Sequence, residues 1–352
     1  MRTQRTIIQE LKKNGISCRP VAGTGVLAHL QKGTGKKTLL FRADIDALPV
    51  VEQTGLSYAS VNPGVMHACG HDFNTMMVFG AALLLKESEF RGKIYFLFQP
   101  AEEDGEGALK VLGDRRWPKE KINAVIGVHI QPVIPCGFIG IKEGELMAAV
   151  DRFRVTIHGR GGHAAYPHLC TNPIDIFHSL YSEWLKIAHH EIPPSEARVM
   201  TVTAVRAGDR FNIIPETLEL EGTVRTLDEK VRRLIYRRML SVVRMFEIKF
   251  KIKIEFRYEF LGSVLRNHPG IVSSLRQTAR ACGYRVLEIR RPSMGGDDFA
   301  EYLKKYRGVY LHIGGGRKGK NEPWHSPRFN PEEKALFAGA RFLKDFALRF
   351  FR

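Results

Sequence analysis

The stretch Thr38–Asp46, TLLFRADID, opens on the apolar run Thr38-Leu39-Leu40-Phe41 and ends at Arg42-Ala43-Asp44-Ile45-Asp46. An uninterrupted Leu/Phe segment of this length reads as a strand buried on both faces, which a parallel sheet covered by helices provides. The pattern recurs along the chain. Thr75–Lys86 (TMMVFGAALLLK) reads as a helix, and Lys93–Phe98 (KIYFLF) as a second buried strand ending in Gln99-Pro100-Ala101-Glu102-Glu103. Ala124–Val128 reads as a third strand, ending at His129, and Gly308–Ile313 (GVYLHI) as a fourth that runs into Gly314-Gly315-Gly316. Apolar strands alternating with helices predict an α/β domain built on a mostly parallel sheet. In such sheets ligands bind at the carboxyl ends of the strands, where the loops splay apart at a switch in strand order. Asp44, Asp46, Glu102, Glu103 and His129 are therefore expected to converge in one crevice.

Between Asp151 and Phe260 the pattern changes. Arg152–His158 alternates as a strand, Pro173–His189 reads as a helix, and Arg198–Val205 and Thr217–Arg225 read as two strands. Asp228–Phe246 reads as a helix with Asp228 as its N-cap, and Lys249–Tyr258 (KFKIKIEFRY) as a closing strand. The order β-α-β-β-α-β is that of a ferredoxin-like α+β module. The expected organisation is a catalytic domain in two parts, 1–150 and 263–352, with an inserted module at 151–262.

The chain has 352 residues, 44% of them hydrophobic and 26% charged, which suits a globular protein able to bury a sizeable core. No apolar run is long enough to span a bilayer, so no membrane association is expected. Met1 is not followed by a basic-apolar leader, and the five cysteines (Cys18, Cys69, Cys136, Cys170, Cys282) follow no disulfide spacing, which points to a cytoplasmic setting. The net charge of +17 could mark a nucleic-acid binder. Its cations are instead interleaved with acids, as in Asp228-Glu229-Lys230-Val231-Arg232-Arg233, and no zinc-finger, RNA-binding or recognition-helix signature accompanies them. No nucleic-acid partner is expected.

The segment Met66–Asp72, M-H-A-C-G-H-D, places Cys69 and His71 on either side of Gly70, a residue that permits the tight turn needed to aim both side chains at one point. A thiolate and an imidazole suit Zn, Mn, Co or Ni. A buried cysteine beside a capping histidine is the plainer alternative for this pair alone, but the acidic pair, His129 and His325 favour a metal site. Adjacent side chains on an extended segment diverge, so one of Glu102 and Glu103 can ligate while its neighbour faces water as a general base. Such a set belongs to water-splitting hydrolases. Asp44 and Asp46 read as residues that orient a ligand or cap a turn, and His67 as a partner behind the ligands or a packed histidine. His163, in Gly159–His168 (GRGGHAAYPH), could donate to a developing oxyanion or simply occupy a tight turn.

Together the strings FRADIDALPV, MHACGHD, FQPAEE, GVHI, GRGGHAAYPH, NIIPETLELEGTVRT, MGGDDF and WHSPRF resemble the metal-dependent aminoacylase/carboxypeptidase superfamily. The likeness is closest to its amidohydrolase branch, which includes hippurate hydrolase, N-acetyldiaminopimelate deacetylase and indole-acetyl-amino-acid hydrolases. The resemblance implies a metallopeptidase-like catalytic domain whose ferredoxin-like insert acts as lid and dimerisation domain. It also implies one or two divalent ions per subunit (Mn, Zn or Co), with Cys69, His71, Glu103, His129 and His325 as ligands. Glu102 would be the general base and Asp46 would orient the site. His163 would steady the oxyanion from a dimer partner, and Asn212 would bind the substrate carboxylate. The implied reaction is hydrolysis of an N-acyl amino acid such as N-acetyl-diaminopimelate or hippurate, with a carboxypeptidase or dipeptidase activity on short peptides as the alternative. Two departures stand out. Similar proteins begin with a helix carrying L-H-x-x-P-E-L, and this chain starts after it. They also commonly carry a histidine two residues beyond the His-Asp pair, where this chain has Asn74.

Overall fold

A computed structural model describes residues 1–319 and 321–352. The chain forms two compact units, one of Met1–Leu146, Leu265–Arg291 and Asp297–Arg352, the other of Met147–Val264 with Pro292–Gly296. In chain order the first segment carries α1 (Arg2–Lys13), β1 (Ser17–Val21), β2 (Gly25–Lys32), β3 (Thr38–Asp44), α2 (His71–Lys86) and β4 (Gly92–Gln99). It continues with α3 (Gly107–Leu112), β5 (Ala124–Pro135), β6 (Phe138–Ile141) and β7 (Gly144–Met147). Next come β8 (Ala149–His158), β9 (Gly162–His163), α4 (Pro173–Lys186), β10 (Arg198–Arg206), β11 (Ile213–Ile214), β12 (Thr217–Thr226), α5 (Glu229–Phe250) and β13 (Lys253–Gly262). The chain ends with β14 (Leu265–Asn267), α6 (Pro269–Ala281), β15 (Arg285–Glu288), α7 (Ala300–Leu303), β16 (Gly308–Gly316) and α8 (Lys334–Phe350).

The large sheet has the order β1-β2-β4-β3-β5-β16-β6-β15. Its centre, β4-β3-β5-β16, is parallel, while β1, β2 and β6 add antiparallel pairs. β4 lies on one side of β3 and β5 on the other, so the order reverses at β3 and opens a crevice past its carboxyl end. Every residue of β3 is buried, Arg42 and Asp44 along with the apolar ones. α2 buries Asn74, Val78, Ala81, Ala82 and Leu85 and packs on β3 and α8.

The second unit is a four-stranded antiparallel sheet, β10-β12-β8-β13, with α4 and α5 packed on its strands. Alternating burial along β8 and β12 puts Phe153, Val155, Ile157, Leu218, Leu220 and Val224 in one core with Trp184 and Met239. The Trp184 ring meets Phe153 edge-on at 5.4 Å, and its Nε1 donates to the Met239 carbonyl at 3.3 Å. Inside that core, Arg232 reaches Asp151 at 2.5 Å and Tyr258 donates to the same carboxylate at 2.7 Å, so the buried charge is paired.

Some expected boundaries move. Lys249 and Phe250 belong not to the closing strand but to α5, where the Phe246 and Phe250 rings meet at a tilt one turn apart (5.6 Å). The helix stops at Lys251, whose positive φ of 53° turns the chain into β13. α4 ends at Lys186, and Ile187–Glu191 continues as a wider π turn. Among the described residues no helix is long and apolar enough to cross a membrane.

Asp228 caps α5, its Oδ1 accepting from Lys230 N at 2.6 Å and Val231 N at 3.0 Å. Asp228→Ala is expected to lower unfolding free energy by about 1 kcal/mol, read by urea denaturation, with the first unit's metal binding unchanged.

Candidate metal centre

The strand ends deliver the acidic groups, and two turns aim them. β3 ends at Asp44 with Asp46 two residues on, and β4 leads through Ala101, held at φ 56°, into Glu102-Glu103. α2 begins at His71, and Gly70 before it adopts φ 84°. A Cβ on Gly70 would lie 2.3 Å from Ile130 Cγ2, so Gly70 alone allows Cys69 and His71 to face inward together. His325 sits at φ 66°, with its N–H held by the Ala68 carbonyl at 2.8 Å. Non-glycine residues in this region cost of order 1–3 kcal/mol each and persist where surrounding structure imposes them.

The resulting cluster is tight. Cys69 Sγ lies 3.6 Å from His129 Nε2, and His71 Nε2 lies 3.8 Å from Glu103 Oε1 and 3.9 Å from Glu102 Oε2. His325 Nε2 is 3.5 Å from Glu103 Oε1. Ligand-type atoms of Cys69, His71 and His129, of Cys69, Glu103 and His325, and of His71, Glu102 and Glu103 each fall within 4.8 Å of one another. The structure thus brings Cys69, His71, Glu102, Glu103, His129 and His325 into one place. His67 offers a buried Nδ1 without a hydrogen-bond partner. His163 and Asn212 belong to the second unit, where β9 pairs with β11 and Ala164 N donates to the Asn212 carbonyl at 3.1 Å. Both are exposed.

Ring orientations follow from hydrogen bonds. His71 Nδ1 lies 3.1 Å from the Asp46 carbonyl and 3.3 Å from its carboxylate, so Nδ1 carries the proton when the ring is neutral and Nε2 presents a lone pair. His129 Nδ1 lies 2.8 Å from the Ile130 carbonyl, which leaves its Nε2 free in the same way. Asp46 also accepts from Glu103 N at 3.0 Å, tying the acidic pair to the same support.

Electrostatics mark the cluster as incomplete on its own. Burial disfavours the His71 imidazolium, yet Asp44, Asp46 and Glu103 outweigh it and raise its pKa to about 9. Burial, with the charges of Glu103, Asp44 and Glu102, drives the Cys69 thiol far above its usual range. Burial, with Asp297 and Asp298, pushes Glu102 well up. His71 Nε2 and Glu103 Oε1 are buried without hydrogen-bond partners. Buried polar atoms in native proteins are almost always satisfied, so lone pairs left to face each other call for a shared cation. A thiolate, imidazoles and carboxylates make a donor set suited to a borderline divalent ion. The residues present fit such a metal.

Beneath the cluster lies a network that sequence reasoning did not assign. Arg42, fully buried, donates to Asp44 (2.6 Å), Gln99 (3.0 Å) and Asp298 (2.7 Å). Gln99 and Ala108 N donate in turn to Asp298. The available signal was an arginine inside an otherwise apolar strand, since a buried cation demands buried acids.

A sequence profile described as peptidase family M20/M25/M40 matches residues 40–349. The chain belongs to that family. It is 41% identical over 342 residues to an N-acetyl-L-cysteine deacetylase of Bacillus subtilis, a match covering 96% of this chain and 81% of that protein. It is 33% identical to thermostable carboxypeptidase 1 of Saccharolobus solfataricus, covering 96% of this chain and 87% of the other. Among solved structures it resembles a dinuclear metal-binding peptidase from Bacillus subtilis, with TM-score 0.85, 33% identity, and coverage of 99% and 92% of the two chains. The protein is a family M20 hydrolase with a metal-binding catalytic fold.

Gly70→Ala should place Cβ against Ile130 at a strained φ, lowering stability by about 2 kcal/mol or more. Thermal melting and metal content after dialysis would both show the loss.

Proposed function

We propose that the protein hydrolyses the amide bond of an N-acyl amino acid to a carboxylic acid and a free amino acid. In this reading Cys69, His71, Glu103, His129 and His325 hold one or two divalent ions, with manganese, zinc and cobalt as the candidates. The observation that carries it is a free carboxylate, Glu102, beside a group of converging buried donors that lack partners. When bound, the metal supplies Lewis-acid polarisation of the scissile carbonyl and makes a water molecule more acidic.

The chain's own residues do the rest. Glu102 takes a proton from the attacking water on a carboxylate oxygen and passes it to the leaving nitrogen, and burial has already raised its affinity for that proton. Asp46 holds His71 with its Nε2 lone pair inward. His163 accepts from Ala165 N through Nδ1 at 3.1 Å, so its Nε2–H is free to donate to the developing oxyanion in the site of the dimer partner. Asn212 is assigned to the substrate carboxylate.

The second unit serves in this reading as lid and homodimer contact. β10 is an edge strand of its sheet, and Phe211, wholly exposed, and Val205, 45% exposed, offer apolar surface on or near that strand. A cytoplasmic setting belongs to the same reading, because Cys69 must stay reduced to ligate. The carboxypeptidase relative supports a second reading, in which the same site cleaves a peptide bond.

Two measurements test the assignment. Glu102→Gln should keep fold and metal while kcat falls roughly 10²–10⁴-fold, and near-normal turnover would refute its role. Assayed with Mn²⁺, Zn²⁺ and Co²⁺ in turn, N-acetyl amino acids should be cleaved faster than the matching dipeptides. The reverse order would favour the peptidase reading.

A further inference from the structure

We propose that Asn74 is a positioning residue for the metal centre, an amide clamp that fixes the Asp44 carboxylate and the His129 strand relative to each other. The inference rests on the ligand assignment above. Asn74 is fully buried on α2, one turn after His71. Its Nδ2 donates to Asp44 Oδ1 at 2.8 Å, and its Oδ1 accepts from Ile130 N at 2.8 Å. The orientation of the amide is forced, because a carboxylate can only accept and a backbone N–H can only donate.

Each end of the clamp touches a group that shapes the site. Asp44 Oδ1 lies 3.8 Å from His71 Nε2 and adds to the field that holds the ring, while Arg42 grips the other carboxylate oxygen. The Ile130 carbonyl is the partner of His129 Nδ1 at 2.8 Å and of Trp324 Nε1 at 3.1 Å. β3 pairs with β5 only as far as Gly127, and beyond it the Asn74 oxygen takes the Ile130 N–H. Asn74 therefore continues the sheet in place of a strand and sets where His129 Nε2 points relative to His71 Nε2.

An amide does this with one donor and one acceptor that stay fixed at any pH. Leucine at this place would leave Asp44 short of a donor and Ile130 N–H orphaned. Aspartate would keep the bond to Ile130 but set two carboxylates against each other. A neutral imidazole offers one N–H and one lone pair and could serve both partners.

The test is Mn²⁺ titration by calorimetry, with kcat and KM on an N-acetyl amino acid, for Asn74→Leu, Asn74→Asp and Asn74→His. The first two are expected to weaken Mn²⁺ binding about 10–100-fold and to lower kcat with little change in KM, the scale usual for residues that orient metal ligands. Asn74→His is expected to recover Mn²⁺ affinity to within about threefold of the parent protein, since it restores the donor and the acceptor. A folded Asn74→Leu that binds Mn²⁺ like the parent would overturn the proposal. So would a folded Asn74→His as weak as Asn74→Leu. Should Asn74→Leu fail to fold, the histidine variant alone decides: recovery supports the clamp, and a loss beyond tenfold in a normally melting protein rejects it. Parent protein that binds Mn²⁺ yet cleaves no N-acyl amino acid would sink the substrate assignment while leaving the calorimetric comparison intact.

Discussion

Two histidine nitrogens with their protons turned away, and a carboxylate oxygen with no donor, face one another inside the first unit. Water-excluded lone pairs in that arrangement repel, and only protons or a cation can relieve them. In this protein protons do so partly, through an imidazole whose pKa is raised to about 9 and a thiol pushed far up. A divalent ion would relieve them by accepting those lone pairs, and its binding must displace those protons. The frustration is confined to a few atoms at the strand ends, on a sheet whose other buried side chains are mostly apolar.

That confinement has a structural origin. Arg42 sits in the middle strand with no exposure and gathers Asp44, Gln99 and Asp298 around it. A buried guanidinium is tolerable only when its donors are used, and here the partners come from β3, β4 and the segment before α7. The arginine thus ties the strands that carry the acidic groups to one another from below. Glu102 is affected by the same arrangement, since burial and the neighbouring Asp297 and Asp298 keep its proton affinity high, which suits the general-base role proposed for it.

Much of this was legible in the residues. TLLFRADID and KIYFLF announce strands buried on both faces, and the acids that follow them land where a reversal in strand order opens a crevice. Cys69 and His71 were readable because Gly70 stands between them, and the clash with Ile130 gives the physical reason for that glycine. Other features were hidden for reasons that can be named. β1 is short, and β1 and β2 both carry polar residues such as Arg19, His29 and Gln31 that interrupt their apolar positions. KFKIKIEFRY alternates like a strand from its first residue, but its opening pair completes a helix and makes a Phe–Phe contact that period-two reading cannot see. The part played by Asn74 depends on a backbone N–H fifty-six residues away, which no local pattern encodes.

The most direct test of the account is a crystal structure of the protein grown with Mn²⁺, using anomalous scattering to locate the ion. The account predicts at least one strong peak bounded by Cys69, His71, Glu103, His129 and His325, with Glu102 nearby and not ligating. A peak elsewhere, or none at this cluster with the five side chains ordered as they are here, would contradict it.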